Sequence, residues 1–305
     1  MDELVQIVEQ LAPRLGEADS EPVPLEGGIT NRNFRARLGG TEYVIRVPGK
    51  DTSLLEIDRA AEATANRQAA ELGIAPSVAA TLDDPPCLVT TFVEGSEMSS
   101  DELREPAALS QVAEKLAALH DSGNTIPTEF DSFRVVETYA KTATERGTEL
   151  PAAYDDALSH AREIEAALAG PEHDPVSCHD DLLAANFLRA GERIWIVDWE
   201  YAGMGDRYFD LGNFAVNNEL DDDGAAALLE AYFGEPPDAR RRATLGLMRF
   251  MSDFREAMWG VVQTAVSDLD FDFVDYATKH FERMSDTAAD PRFAGRLEEA
   301  RASNG

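Results

Sequence analysis

The chain contains little cysteine, and no part of it is long and apolar enough for a membrane span. Its 305 residues include two cysteines, Cys87 and Cys178, which are too few for a disulfide framework. A membrane-spanning helix requires about 18 or more apolar residues in a row, and no run approaches that length. The first residues also lack the basic and apolar segments of a signal peptide. We therefore expect free thiols, a cytoplasmic location and no membrane partner.

Positive charge is scarce as well. The sequence has 58 acidic residues against 27 lysines and arginines, and its formal net charge is −31. The acids are dispersed along the chain, which is typical of a solvated surface rather than of a binding tail. Nucleic acids and anionic membranes are therefore poor partners. We hypothesise a halophilic protein that works in a high-salt cytoplasm, where screening weakens the repulsion between its acids.

The length and the pattern of apolar residues predict two lobes. A chain of 305 residues with 44% hydrophobic residues can form two lobes with a cleft between them. The first part predicts a small β-rich lobe, with helices over 2–16 and 56–72 and strands over 34–37, 41–47 and 87–93. Beyond residue 95 the spacing is mostly helical, over 106–121, 132–146, 152–169, 207–218, 224–233, 238–264 and 271–284. We expect a frayed tail after Asp290.

One short motif carries most of the functional information. The eight residues from His179 to Asn186 read His-Asp-Asp-Leu-Leu-Ala-Ala-Asn, and an apolar run that ends at Asp198 follows them. A hydroxyl that is phosphorylated needs a carboxylate to accept its proton, and magnesium-bridged phosphates need hard oxygen ligands. Asp181, Asn186 and Asp198 supply these groups, because residues 194–197 predict a short buried strand that brings Asp198 to the loop. The alternative is a solvated loop beside a core strand.

At these residues the chain resembles the aminoglycoside phosphotransferase and choline kinase superfamily, and the resemblance covers nearly the whole chain. It implies an α+β, protein-kinase-like fold with a nucleotide-binding N-lobe over 1–95 and a C-lobe over 96–305 that holds the catalytic loop and the acceptor. It also implies that Asp181 is the catalytic base and that Asn186 and Asp198 bind Mg²⁺. His179 matches the structural histidine that orders the loop.

A glycine-rich segment indicates where the phosphates of ATP would bind. Gly27, Gly28, Thr30 and Asn31 lie between a turn and a predicted strand. Glycine permits close approach of the backbone to a phosphate, and the two polar side chains can donate to phosphate oxygens. An ordinary hairpin is the alternative reading of the two glycines.

The next predicted strand and helix supply a cation and its partner. Arg46 stands where a kinase-like fold needs a positive charge for the phosphates, and Glu62 resembles the glutamate that holds this cation, with Glu56 as the rival partner. Arg46 could instead lie on the exposed face of an edge strand. Residues 90–95 resemble the hinge between lobes, where the backbone near Thr91 and Val93 would bind adenine.

The acceptor side is indicated near the C-terminus. Trp259 and the residues after it resemble choline and ethanolamine kinases, as does Tyr201, and aromatic faces with nearby carboxylates can hold an ammonium group. Glu256 stands where choline kinases usually have a second tryptophan. Asp253, Glu256 and Trp259 are spaced by three and lie along one helical stripe, and its carboxylates also suit a primary amine. Asp210 is expected to brace the loop or the acceptor. The alternatives are a core tryptophan and ordinary surface acids.

Together these residues predict an ATP- and Mg²⁺-dependent kinase whose partner is a small molecule with a hydroxyl group, of the choline or ethanolamine type. A kinase of the same fold that acts on an aminoglycoside, thiamine or a sugar is the nearest alternative. A nucleotide-binding pseudokinase is an alternative of another class, and the intact Asp181, Asn186 and Asp198 disfavour it. A protein kinase is disfavoured because residues 199–225 contain no activation segment that ends in Ala-Pro-Glu.

Overall fold

A computed structural model of the protein describes residues 2–25, 31–49, 55, 57–168, 170–267 and 269–301. Its N-terminal part is built on an antiparallel five-stranded sheet of order β1-β2-β3-β5-β4. The strands are β1 (Val23–Leu25), β2 (Asn31–Leu38), β3 (Thr41–Pro48), β4 (Val78–Asp83) and β5 (Pro86–Thr91). Helices α1 (Asp2–Leu15) and α2 (Arg59–Glu71) accompany this sheet.

The hairpin between β2 and β3 sets the register of the sheet. Gly39 and Gly40 have φ of +55° and +82°, which glycine adopts without a steric penalty. A Cβ on Gly39 would lie 2.4 Å from the Leu15 backbone oxygen, so this turn also permits close contact with the end of α1. Ile7 and Leu11 of α1 are fully buried in the same apolar cluster as Ile45 of β3. The sheet and α1 therefore share one small core.

The rest of the chain is mostly helical and surrounds one long helix. The helices are α3 (Ser100–Leu103), α4 (Pro106–His120), α5 (Ser132–Glu145), α6 (Tyr154–Ala167), α7 (Arg207–Asn217), α8 (Asp222–Phe233), α9 (Ala239–Val266), α10 (Phe273–Ala289) and α11 (Phe293–Arg301). Helix α9 has 28 residues and is packed against α5, α7, α10 and α11. It is buried on every side over most of its length, so the polar residues in that part must find partners inside the protein.

Two small sheets hold the loops that carry the motif. Strand β7 (Val176–Cys178) pairs with β10 (Gly203–Gly205), and the loop from 179 to 186 follows β7 directly. Strand β6 (Ser96–Glu97) pairs with β8 (Phe187–Ala190), which pairs with β9 (Arg193–Ile196). Strand β9 ends two residues before Asp198. Both loops are thus anchored by strands at their base.

The predicted α+β fold, with a small sheet-rich lobe and a larger helical one, is confirmed. The domain boundary after residue 95 stays a prediction. The frayed tail was wrong, because α11 follows Asp290 and buries Phe293, Leu297 and Ala300. Strands β1 and β4 were not predicted. In the described residues, no helix is sufficiently long and apolar to span a membrane.

Candidate active site

Asp181 and Asn186 are in direct contact on the loop that follows β7. The Asn186 Nδ2 donates to the Asp181 backbone oxygen at 2.8 Å and to the carboxylate Oδ2 at 3.1 Å. The single 3-10 turn over Ala184–Asn186 brings the two side chains together. Because both hydrogen bonds use the amide nitrogen of Asn186, its amide oxygen is the atom that it can offer to a cation.

Backbone hydrogen bonds join this loop to the segment that carries Asp198. The Val197 amide donates to the Asn186 backbone oxygen at 2.9 Å, and the His179 Nε2 donates to the Val197 backbone oxygen at 2.9 Å. Asp198 itself has φ of +67°, a left-handed conformation in which aspartate is enriched over most residues. The structure therefore brings the segment that carries Asp198 next to Asn186, and His179 makes a structural hydrogen bond to the same segment.

Arg46 of β3 connects the two lobes electrostatically. Its Nη1 donates to Glu62 Oε1 at 2.9 Å and also contacts Asp198 Oδ1. Burial opposes the charge on Arg46, but the carboxylates of Asp198 and Glu62 outweigh it and raise the pKa of the guanidinium. A cation thus lies beside the expected metal ligand, where the phosphates of a nucleotide would also benefit from it.

A second arginine network adjoins the first. The Arg59 Nη1 donates to Glu62 Oε2 at 2.8 Å and to Glu200 Oε2 at 3.0 Å. The Asn31 Nδ2 also donates to Glu200 Oε2, at 2.9 Å, and the Asn31 Oδ1 accepts from Arg59 at 2.9 Å. Asn31, which was expected to donate to phosphate oxygens, therefore has protein partners here. Sequence reasoning assigned no role to Arg59 or Glu200, because the contacts that join them to each other and to Asn31 are distant along the chain.

Only some of the residues predicted to contact the nucleotide lie in the part of the chain that the structure describes. Gly27, Gly28 and Thr30, like Glu56, lie outside the described residues. The Thr91 amide donates to the Ser77 backbone oxygen at 2.9 Å, so this N–H is already used within the N-lobe. Val93 lies two residues beyond β5, in the connection to the C-lobe. The predicted adenine contacts of Thr91 and Val93 stay predictions.

Arg255 of α9 contacts the predicted catalytic base, and sequence reasoning missed it. Its Nη1 donates to Asp181 Oδ1 at 3.2 Å and to Glu256 Oε1 at 2.7 Å. Burial raises the pKa of Asp181 to about 7, although the Arg255 cation opposes this rise. The available signal was an arginine in a part of the helix where apolar residues precede and follow it, since a buried arginine requires acidic partners.

Three of the residues predicted to bind the acceptor lie next to Arg255. The Trp259 Nε1 donates to the Tyr201 hydroxyl at 2.8 Å, and the Arg255 guanidinium lies 4.3 Å from the centre of the Tyr201 ring. The Tyr276 hydroxyl donates to Glu256 Oε2 at 2.7 Å. Tyr201, Trp259 and Glu256 thus form one aromatic and acidic group that Arg255 joins to Asp181.

Asp210 braces the loop that follows β7. Its carboxylate is fully buried and accepts from the backbone amides of His179 at 2.9 Å and Asp180 at 2.7 Å. The His120 Nε2 lies 3.0 Å from the same carboxylate, and the His120 Nδ1 lies 2.7 Å from the Tyr232 hydroxyl. Of the two roles that we considered for Asp210, these contacts favour bracing of the loop over contact with the acceptor.

Asp253 is placed differently from the acceptor residue that we expected. Its carboxylate is fully buried, and the His280 Nδ1 and the Arg283 Nε lie 2.9 and 2.7 Å from its Oδ1. Both partners belong to α10, so Asp253 joins α9 to α10. Its described contacts do not include Asp181 or Arg255. We therefore correct the predicted stripe: Asp253 joins two helices, and Glu256 and Trp259 remain as the candidates for the acceptor.

This arrangement can perform phosphoryl transfer. It combines a buried carboxylate for the acceptor hydroxyl, an amide and a second acid for a cation, and an arginine for the phosphates. Such a fold and site define a kinase-like phosphotransferase. A sequence model of the phosphotransferase enzyme family (APH) matches residues 21–245, more than half of the chain, and the chain belongs to this family.

The chain is also similar to individual proteins that have kinase names or solved structures. The solved structure of a choline/ethanolamine kinase family protein from Mesorhizobium loti is 33% identical, with a TM-score of 0.83 over 97% of this chain and 98% of that one. Protein LicA of Haemophilus influenzae is 27% identical over 86% of this chain and 78% of that protein. Ethanolamine kinase 1 of Mus musculus is 25% identical over 84% and 80% of the two chains. The resemblance is confirmed, and the chain is an ATP-dependent phosphotransferase with an alcohol group as acceptor.

Proposed function

We propose that the enzyme transfers the γ-phosphate of ATP to the hydroxyl of choline, ethanolamine or a related amino alcohol. The observation that carries this proposal is the group of Tyr201, Trp259 and Glu256, which Arg255 joins to the predicted base Asp181. Aromatic and carboxylate groups beside a base suit an acceptor that has an ammonium group near its hydroxyl. The kinase names of the relatives support the same class of acceptor.

Two residues fit a magnesium ion. Asn186 offers its amide oxygen, because its nitrogen is bound to Asp181, and Asp198 offers a carboxylate beside it. Magnesium bound there would neutralise charge on the phosphates during transfer. We therefore assign Asn186 and Asp198 as the residues that would hold Mg²⁺.

The chain's own residues then have distinct roles. Asp181 accepts the proton of the acceptor hydroxyl, and Arg255 and Asn186 fix the two oxygens of its carboxylate. Arg46 neutralises the α- and β-phosphates, and Glu62 orients Arg46 through the 2.9 Å ion pair. The hydroxyl attacks the γ-phosphate in line, so positioning rather than covalent catalysis supplies the rate enhancement.

The test is ADP release with ATP and Mg²⁺ in molar KCl, across choline, ethanolamine, aminoglycosides, thiamine and simple sugars. We expect turnover with choline or ethanolamine that is absent without an acceptor. Turnover with only a sugar, thiamine or an antibiotic would keep the catalytic residues and reject the acceptor. An absence of ATP turnover with every acceptor would favour a pseudokinase.

A further inference from the structure

Arg255 contacts both the proposed base, Asp181, and the ring of Tyr201. Its side chain is 1% exposed and lies in the middle of α9. Within the described part of the chain, no group accepts a hydrogen bond from its Nε or Nη2. The guanidinium is therefore held through Nη1, which contacts Asp181 and Glu256, and by the face of the Tyr201 ring.

The protein's own cation thus uses an aromatic face that a substrate cation would need. The Arg255 guanidinium is 4.3 Å from the Tyr201 ring centre, well within the range of a cation–π interaction. The Trp259 ring is packed edge-on against Phe273 at 5.7 Å and Tyr276 at 5.4 Å. A quaternary ammonium is recognised mainly by aromatic faces, and a second cation on this side of Tyr201 would be repelled by Arg255.

The carboxylates favour a different kind of cation. Asp181 and Glu256 contribute two negative charges and Arg255 one positive charge, so one negative charge remains when both acids are ionised. Among the residues that the structure describes, the Glu256 oxygens have one partner each, Arg255 at 2.7 Å and Tyr276 at 2.7 Å, and a carboxylate offers about four acceptor positions. A primary ammonium has three N–H donors for these positions, whereas a quaternary ammonium has none.

We propose that Arg255 is a specificity-determining residue that makes the acceptor site select a primary ammonium and discriminate against a quaternary one. The inference rests on the proposed function, since it assumes an amino alcohol as acceptor. It adds the residue and the physical cause of the choice: Arg255 occupies one face of the Tyr201 ring, while the carboxylates of Asp181 and Glu256 keep free hydrogen-bonding positions for the substrate.

The experiment compares ethanolamine with its N-methyl, N,N-dimethyl and N,N,N-trimethyl (choline) derivatives, with kcat and KM measured for each. In the parent protein, kcat/KM should fall with each methyl group, to about one tenth or less for choline, a ratio that corresponds to about 1.4 kcal/mol. The fall should be mainly in KM, because the methyl groups affect binding of the ammonium rather than proton transfer.

Three variants separate specificity from structure. Arg255→Leu frees the Tyr201 face and should bring the ethanolamine-to-choline ratio close to or below one. Arg255→Lys keeps the charge and should keep the preference for ethanolamine. Arg241→Leu is the matched control, because Arg241 also stacks on an aromatic ring, Phe233 at 4.0 Å, near the start of the same helix. It should leave the ratio unchanged.

The possible outcomes are distinct. Equal use of choline and ethanolamine by the parent, or the same ratio in Arg255→Leu, would overturn the inference and keep the proposed function. Failure of the parent to phosphorylate any of the four amino alcohols would reject the proposed function and the inference with it. If Arg255→Leu binds acceptors without turnover, the ratio of calorimetric affinities decides in the same way. If Arg255→Leu does not fold, the Arg255→Lys variant decides. This variant keeps the charge, so it should keep the preference for ethanolamine. A gain in choline affinity greater than that of Arg241→Leu, with the affinity for ethanolamine retained, would contradict the proposed role of the charge.

Discussion

At the scale of single residues, the site assigns each oxygen of one carboxylate to a different partner. Asp181 Oδ1 accepts from Arg255 and Oδ2 accepts from Asn186, so the side chain cannot rotate without losing both bonds. The Asp181 backbone amide also donates to the His179 Nδ1 at 3.3 Å. If Asp181 is the base, as proposed, a carboxylate held in this way is preorganised for a hydroxyl that approaches from the acceptor side.

The first prediction concerns this base. Asp181→Asn should lower kcat by about 10²–10⁴-fold, the usual contribution of a general base, because an amide cannot accept the proton. Nucleotide affinity should change little, since Arg46 and Glu62 are intact. ADP release and titration calorimetry with ATP measure the two effects. Asp174→Asn removes an exposed carboxylate shortly before β7 and serves as the control. Full activity of Asp181→Asn would refute its role as the base.

At the scale of elements, α7 packs against α9 and also forms hydrogen bonds to the loop that follows β7. Asp210 accepts from two loop amides, and the Asn213 Oδ1 accepts from the Leu182 amide while the Asn213 Nδ2 donates to Ser252 of α9. A Cβ on Gly212 would lie 2.8 Å from the Met248 backbone carbon. Glycine at this position therefore lets the helix that braces the loop approach the long central helix.

The second prediction tests this close approach. Gly212→Ala should lower the melting temperature, because crowding of a packed interior costs about 1–3 kcal/mol and outweighs the helix-propensity gain of about 1 kcal/mol. Gly295→Ala is the matched control: it also lies in a helix, α11, and its Cβ would meet no atom within 4 Å. Thermal unfolding should show a lower melting temperature for the first variant and an equal or higher one for the second. Equal stabilisation by both would contradict the predicted contact.

At the scale of the whole molecule, the large negative charge affects the stability of the fold. The net charge of −31 is distributed over the chain, while most arginines near the site are already paired with acids. Repulsion between the remaining acids acts over about 10 Å at 0.1 M salt and about 3 Å at 1 M. The folded state holds these charges closer together than the unfolded chain does, so screening stabilises the fold.

The third prediction follows from this repulsion. The melting temperature should rise steeply between 0.1 M and molar KCl, as measured by thermal unfolding. A series in sucrose at matched osmolality is the control, because sucrose stabilises proteins through exclusion from the surface without screening charge. The same melting temperature across the KCl series would reject the hypothesis of a high-salt protein.

The sequence by itself determined the features that are local in the chain. The spacing from His179 to Asn186 places the base and the amide on one loop, and the Gly39-Gly40 turn predicts the β2–β3 hairpin, because residues so close in sequence are held together by a few backbone angles. Apolar periodicity likewise predicted most helices of the larger lobe, since most of them bury one face, whereas α9 is buried on every side over most of its length.

Only the tertiary structure decided which neighbour each polar side chain of α9 faces. Residues three apart turn by about 60° around an α-helix, so Asp253 and Trp259 differ by about 120°. This rotation is enough to direct Asp253 to Arg283 of α10 while Trp259 contacts Tyr201. A helix buried on every side gives no sequence signal of which neighbour covers which face, because apolar residues occur all around it. The contact between Arg255 and Asp181 was decided in the same way, by packing across 74 residues of chain.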